Sequence, residues 1–182
     1  MRQKLADPVR NANADQLYEE AAATYGAALE RVARAYEANP DRRQDLLQEI
    51  HMALWRSLEH FAQRCSLRTW TYRVAHNVAA SHVVHRQRAY AGLVSLEEIE
   101  SIPDRQEGEL GVDRSTALER LLRLIQRLKP VDRQVILSYL EGMDAASIGG
   151  ITGVSPANVA MKIHPIKSIL ARRFQKGGQH AG

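Results

Sequence analysis

A single cysteine, Cys65, stands in 182 residues, which excludes an internal disulfide framework. A reducing compartment is the simple expectation. Long apolar runs are missing as well. None approaches the ~20 residues needed to span a bilayer. Residues 1–16, MRQKLADPVRNANADQ, contain no apolar stretch of a secretory signal. The expectation is a cytoplasmic protein without membrane insertion. Signatures of common enzymes are also lacking: no Walker loop, no H-E-x-x-H, no glycine-rich strand-to-helix turn. His82 and His85 lie three apart, and His60 and Cys65 precede them, yet no convincing fourth metal ligand joins the set. Cys65 has no indicated partner that would make it a nucleophile. No catalytic residue, metal or cofactor is expected, and no enzyme.

Acid is absent from one stretch in particular. Arg64 to Arg88, RCSLRTWTYRVAHNVAASHVVHRQR, carries five arginines and three histidines against no carboxylate. Aromatics are only 5% of the chain, so Trp70 and Tyr72 inside this stretch stand out. Glycine and proline are missing from Leu67 to Val84, which predicts a helix. Leu67, Trp70, Val74 and Val78 recur at three or four residues and form its expected inward stripe. Arg68, Tyr72, Arg73, His76 and Asn77 then fall on the remaining surface. Such a surface suits single-stranded or partly opened nucleic acid. Arginines hold phosphates, rings offer faces to bases, and an amide can read a base edge. A solvated helix face with two core aromatics is the plain alternative.

Charge elsewhere is blocked. Gly92 to Ser115 holds seven acidic residues against two arginines, while Ala145 to Gly182 holds five lysines or arginines and no acid. The net charge of +4 is compatible with a nucleic-acid partner but does not demand one. The chain is therefore read as all-α: two small helical domains joined by an acidic linker. Residues 1–16 form a loose arm, 17–88 a first domain, 89–115 the linker, 116–176 a second domain and 177–182 a tail.

In the first domain Asp15 is the expected cap of a helix from about Leu17 to Ala38. Its stripe is Leu17, Ala21, Tyr25, Ala28, Leu29, Val32 and Tyr36. Asp41 is the expected cap of the next, about Arg42 to Phe61, with Leu46, Leu47, Ile50, Ala53, Leu54, Leu58 and Phe61 inward. Asp45, Gln48, Glu49 and Met52 make a second stripe on another side. Ser66 can cap the basic helix. In the second domain Leu118, Leu121, Leu122, Ile125 and Leu128 mark one helix and Val131 to Leu140 the next. A short helix over about Ala145 to Ile151, the turn Thr152-Gly153-Val154 and the opening Ser155-Pro156 form a helix-turn-helix pattern. An ordinary α-hairpin with a glycine turn has the same signature.

The motifs together resemble the extracytoplasmic-function group of the sigma-70 family, the specificity subunits of bacterial RNA polymerase. Asp45-Leu46-Leu47-Gln48-Glu49-Ile50 with Leu54-Trp55 is similar to the family's D-L-x-Q-E-x-F. Ser66-Leu67-Arg68-Thr69-Trp70, then Tyr72-Arg73-Val74-Ala75-His76-Asn77, is similar to S-L-R-T-W-L-Y-R-I-A-R-N. Gly153 to Val159 with Lys162-Ile163-His164 resembles the family's promoter-reading helix. The resemblance implies that Asp45, Leu46, Gln48, Glu49, Met52 and Trp55 bind core polymerase. It implies that Phe61, Arg64, Arg68, Thr69, Tyr72, Arg73, His76 and Asn77 capture the minus-ten element as strands separate. Ser155, Pro156, Ala157, Asn158, Lys162, His164 and Lys167 would read the minus-thirty-five element as duplex. Implied partners are RNA polymerase core enzyme, promoter DNA and a dedicated anti-sigma protein, with the free chain a monomer. Trp70, on the inward stripe, reads as an anchor more than a base platform. The alternative function is a helix-turn-helix regulator that acts without polymerase.

Three departures from the family pattern stand out. His76 replaces an arginine and carries less charge near neutral pH. Gly149 replaces an alanine, at a cost of ~1 kcal/mol in a helix. Pro165 replaces an arginine inside the reading helix. It removes the amide that would bond Met161, costing ~3 kcal/mol or more. A kink or an early end near His164 is expected, with weakened upstream binding.

Overall fold

The computed structural model describes residues 8–86 and 114–176, with side chains from 12 to 85 and from 118 to 172. Those residues form seven helices and no strand. The chain divides into two compact units, Met1–Val84 and His85–Gly182. Except for residues 114 and 115, the expected linker lies outside the described residues, as do residues 1–7 and 177–182. None of the described helices is long and apolar enough to cross a membrane.

The first unit holds α1 (Pro8–Tyr36), α2 (Pro40–Leu58) and α3 (Leu67–Arg86). α1 begins nine residues before the expected Leu17. Pro8 is its first residue, where a missing amide costs nothing, so the proline starts the helix and does not break it. Asp15 is consequently not a cap but an exposed side chain within α1. Between α1 and α2 the cap is Asn39, not Asp41. Its Oδ1 accepts the Arg42 amide at 3.0 Å. Asp41 stands in the first turn, where a carboxylate still favours the positive helix end. The expected stripe of α2 is found in part. Leu47 and Ala53 are half-buried, and Phe61, also half-buried, lies beyond the helix end at Leu58. Leu46, Ile50, Leu54 and Leu58 are buried where the helix packs on α1. Burial of each such aliphatic is worth about 1.5–3 kcal/mol. Ser66 caps α3, its Oγ accepting the Thr69 amide at 3.1 Å.

The inward face of α3 is rotated from the expected one. Leu67, Trp70, Val74 and Val78 are only half-buried. The fully buried side chains are Thr71, Tyr72, Ala75, His76 and Ala79, with Thr69 close behind. Small residues allow close approach. Of the polar ones, Tyr72 and His76 meet tyrosines of α1, while the Thr71 hydroxyl is buried without a hydrogen-bond partner among the described residues. Tyr36 Oη and His76 Nδ1 are 3.2 Å apart. The Tyr25 and Tyr72 rings meet edge-on with centroids 6.3 Å apart.

The second unit holds α4 (Arg114–Arg127), α5 (Pro130–Leu140), α6 (Ala145–Thr152) and α7 (Pro156–Lys176). Leu122, Ile125 and Leu128 of the first segment meet Val135, Ile136, Ile148, Val159 and Ile166 in one core. Leu118, expected inward, is exposed. Arg133 is fully buried, an unusual place for a cation. Its Nη2 donates to the carbonyls of Gln126 and Leu128, which α4 leaves without helical partners at its C-terminus. α7 does not end at His164. It runs through Pro165 to Lys176. Met161 and Pro165 are both exposed, so the orphaned carbonyl lies toward solvent, where water can satisfy it. On the opposite side Ile166, Ile169 and Leu170 are buried and hold the helix to the core.

Candidate functional site

On α2 the outer face carries Asp45, Gln48, Glu49, Met52 and Trp55, all exposed. Leu46, expected among them, is completely buried and belongs to the core. The Trp55 ring is not loose: its Nε1 donates to Asp15 Oδ1 of α1 at 2.8 Å. Beside it runs a shallow concavity of about 450 Å³ lined by Gln44, Leu47, Gln48, His51 and Met52. His51 Nδ1 lies 3.0 Å from Tyr18 Oη. Burial lowers its pKa below the ordinary 6.5, while Glu30 pulls it upward. The stability it contributes is whole above that value and shrinks as pH falls below it. Asp15 and the His51 side of the groove escaped sequence reasoning because they depend on α1 packing across α2.

The basic stretch divides into buried and available groups. Tyr72 and His76, expected on the surface, are 1% and 0% exposed. Thr69 is also buried, with Oγ1 3.0 Å from Ser66 Oγ at the start of α3. These three are withdrawn as strand contacts, and the histidine at 76 offers no charge to solvent. Arg64 and Asn77 are exposed. Arg68 is half-buried, its guanidinium 5.9 Å from the Tyr72 ring centroid. Arg73 lies 5.1 Å from the Trp70 centroid and donates from Nη2 to Cys65 Sγ at 3.0 Å. Trp70 donates from Nε1 to Ser57 Oγ at 2.9 Å and packs on Phe61, centroids 5.3 Å apart. It therefore ties α3 to the end of α2. Trp70, Arg73 and Asn77 follow at i, i+3 and i+7, one face of the helix. Gln63, with φ 55°, turns the chain between α2 and α3 just before Arg64.

In the second unit the helix-turn-helix geometry is complete. Asp144 caps α6, its Oδ1 accepting the Ser147 amide at 2.7 Å, and that bond holds the carboxyl below its ordinary range. Gly153 closes α6 with φ 73°, a conformation open to glycine at little cost. Ser155 Oγ accepts the Asn158 amide at 3.3 Å and Pro156 follows as the first residue of α7. Ser155, Pro156, Ala157, Asn158 and His164 are exposed. Lys162 and Lys167 are engaged elsewhere. Lys162 Nζ donates to the buried Asp132 Oδ1 at 2.7 Å, and Lys167 Nζ to Tyr139 Oη at 2.8 Å. Both turn back onto α5.

Gly149 acquires a purpose here. A Cβ at this position would stand 2.7 Å from the Val154 carbonyl oxygen, a backbone atom that cannot swing away. The glycine lets α6 press against the turn that aims α7. Gly149→Ala is expected to destabilise the second unit by about 1–3 kcal/mol through overpacking, despite alanine's better helix propensity. Urea unfolding followed by circular dichroism checks this, in the transition that tryptophan emission does not report. A raised midpoint would refute it.

Two helical modules, one with a basic helix and one with a helix-turn-helix, define a DNA-binding protein of two parts. Comparison with known proteins gives the class a family. The family model for Sigma-70 region 2 matches residues 21–89, and that for Sigma-70, region 4 matches residues 118–168. The RNA polymerase sigma factor NccH of Alcaligenes xylosoxydans xylosoxydans is 24% identical over 154 residues, 83% of either chain. Among solved structures, that of CnrH in complex with the cytosolic domain of CnrY superposes with a TM-score of 0.63 at 19% identity. The match covers 92% of this chain and 96% of that one, and at such identity it speaks for the fold. The chain belongs to the sigma-70 family of RNA polymerase sigma factors, in its extracytoplasmic-function group.

Proposed function

We propose how this sigma factor divides its work. The first unit grips core polymerase through Asp45, Gln48, Glu49, Met52 and Trp55, with the adjoining groove. The Arg64, Arg68, Arg73 and Asn77 side of α3, beside Phe61 and Trp70, holds the separated minus-ten strand. Cationic groups fix its phosphates, and an aromatic rim offsets unstacking of a few kcal/mol per base. The second unit reads duplex at minus thirty-five through Ser155, Pro156, Ala157, Asn158 and His164. The observation that carries the proposal is that the two modules leave three exposed faces of different chemistry, each on the segment whose motif calls for it. The test is transcription in vitro with core polymerase and genomic DNA, mapping start sites. Discrete initiation that depends on the added chain is expected. Failure to direct any start would remove the proposal.

An anti-sigma protein is the second proposed partner. CnrH has been solved with the cytosolic domain of CnrY bound, and the exposed Met52 and Trp55 give a comparable partner apolar surface to cover. The proposed place of action is the cytoplasm, with the free chain monomeric.

A further inference from the structure

Met161 is 74% exposed, the largest fraction for any big hydrophobic side chain among the described residues. No sequence motif singled it out. It lies on α7 one turn after Ala157 and Asn158 and one turn before His164 and Pro165, so the five share a face. All five are exposed. The lysines that could have made this face cationic are turned onto Asp132 and Tyr139. What remains between Pro156 and Pro165 is apolar and hydrogen-bonding, with a flexible thioether at its centre.

An apolar side chain left in water adds nothing to the fold and gains only when something covers it. In the major groove, duplex DNA offers one apolar group, the C5-methyl of thymine. Resting on the reading of α7 as the helix that meets upstream duplex, we propose that Met161 is a specificity-determining residue that covers thymine methyl groups of the minus-thirty-five element. Ala157 flanks it, and Asn158 is placed to pair with an adjacent adenine edge. An arginine-led reader favours guanine; this face favours thymine and adenine. An apolar contact releases no counterion, so its loss leaves the salt dependence of binding unchanged.

The experiment uses the full chain with core polymerase and a promoter fragment from the start-site map. Its upstream element is prepared in three forms: native, with deoxyuridine for every thymine, and scrambled. Deoxyuridine removes the methyl and nothing else. It is expected to weaken wild-type binding about three- to fourfold per covered methyl. Met161→Ala is expected to weaken native binding by a similar factor, to ignore the deoxyuridine change and to keep the wild-type salt slope. Its exposed position leaves folding untouched, which the unfolding midpoint verifies. Deoxyuridine without effect, while scrambling still weakens binding, overturns the inference and spares the upstream reading. Scrambling without effect removes both, and an upstream element without thymine overturns the inference outright. If Met161→Ala weakens binding equally on native and scrambled elements, the methionine serves a polymerase surface and the inference fails.

Discussion

Tyr72→Ala is expected to cost the first unit about 3–5 kcal/mol, the range for removing a buried aromatic. That is a large share of a small domain's total of about 5–15 kcal/mol. Tyr72 is 1% exposed, meets the Tyr25 ring edge-on and stacks obliquely toward His76, with ring centroids 6.3 Å apart in each case. His76 in turn is hydrogen-bonded to Tyr36 of α1. Truncation would leave a cavity between α1 and α3 beside that buried polar pair. The measurement is direct because both tryptophans of the chain, Trp55 and Trp70, belong to the first unit. Their emission therefore follows its urea unfolding apart from the second unit. If Tyr72 were an exposed platform for a flipped base, the midpoint would stay within about 0.5 kcal/mol of wild type, as surface substitutions do, and only promoter opening would suffer. That outcome would reverse the assignment of this face. Asn77→Ala supplies the contrast: an exposed amide whose loss is expected to spare the midpoint and impair opening.

The same seam explains where the sequence was legible. The α2 core could be read because Leu46, Ile50, Leu54 and Leu58 are aliphatic and spaced at four. The helix-turn-helix could be read because Gly153, Ser155 and Pro156 each have a local backbone reason to be where they are. The face of α3 could not be read from hydrophobicity. Its buried side is Thr71, Tyr72, Ala75, His76 and Ala79, and what makes Tyr72 and His76 acceptable inside lies some forty residues earlier, on α1. The placement of Lys162 and Lys167 could not be read for a like reason: their partners, Asp132 and Tyr139, sit on another helix. Gly149 and Pro165 each go against a local helix preference. One is set by a carbonyl of the following turn, and the other is tolerated because its side of α7 faces water. Tertiary contact decided each case that local preference missed.

Reversing charge at Asp45 and Glu49 together is expected to weaken core-polymerase binding at least 100-fold while the chain stays folded. Both carboxylates are exposed on α2 one turn apart, with Met52 a further turn along and Trp55 beside it. Arg42 and Arg56 occupy the two ends of the helix, so the acidic character is concentrated in the middle, next to the groove. A partner complementary to that centre is basic. Opposing it with arginines replaces attraction by like-charge contact, which costs several kcal/mol across an interface. Stability should hardly change, since neither side chain reaches the core and exposed charges contribute little to folding. Two controls separate this from general damage. Asp15→Ala removes the hydrogen bond that steadies the Trp55 ring without touching any polymerase-facing charge, so a smaller loss is expected, without altered salt dependence. Charge reversal should instead flatten or invert the salt dependence of association, because screening now relieves a repulsion. Equal binding by wild type and the double variant would exclude the centre of α2 from the interface. It would leave the Gln44, Leu47 and His51 side of the groove as the surface to test, where apolar contact and not charge would have to supply the affinity.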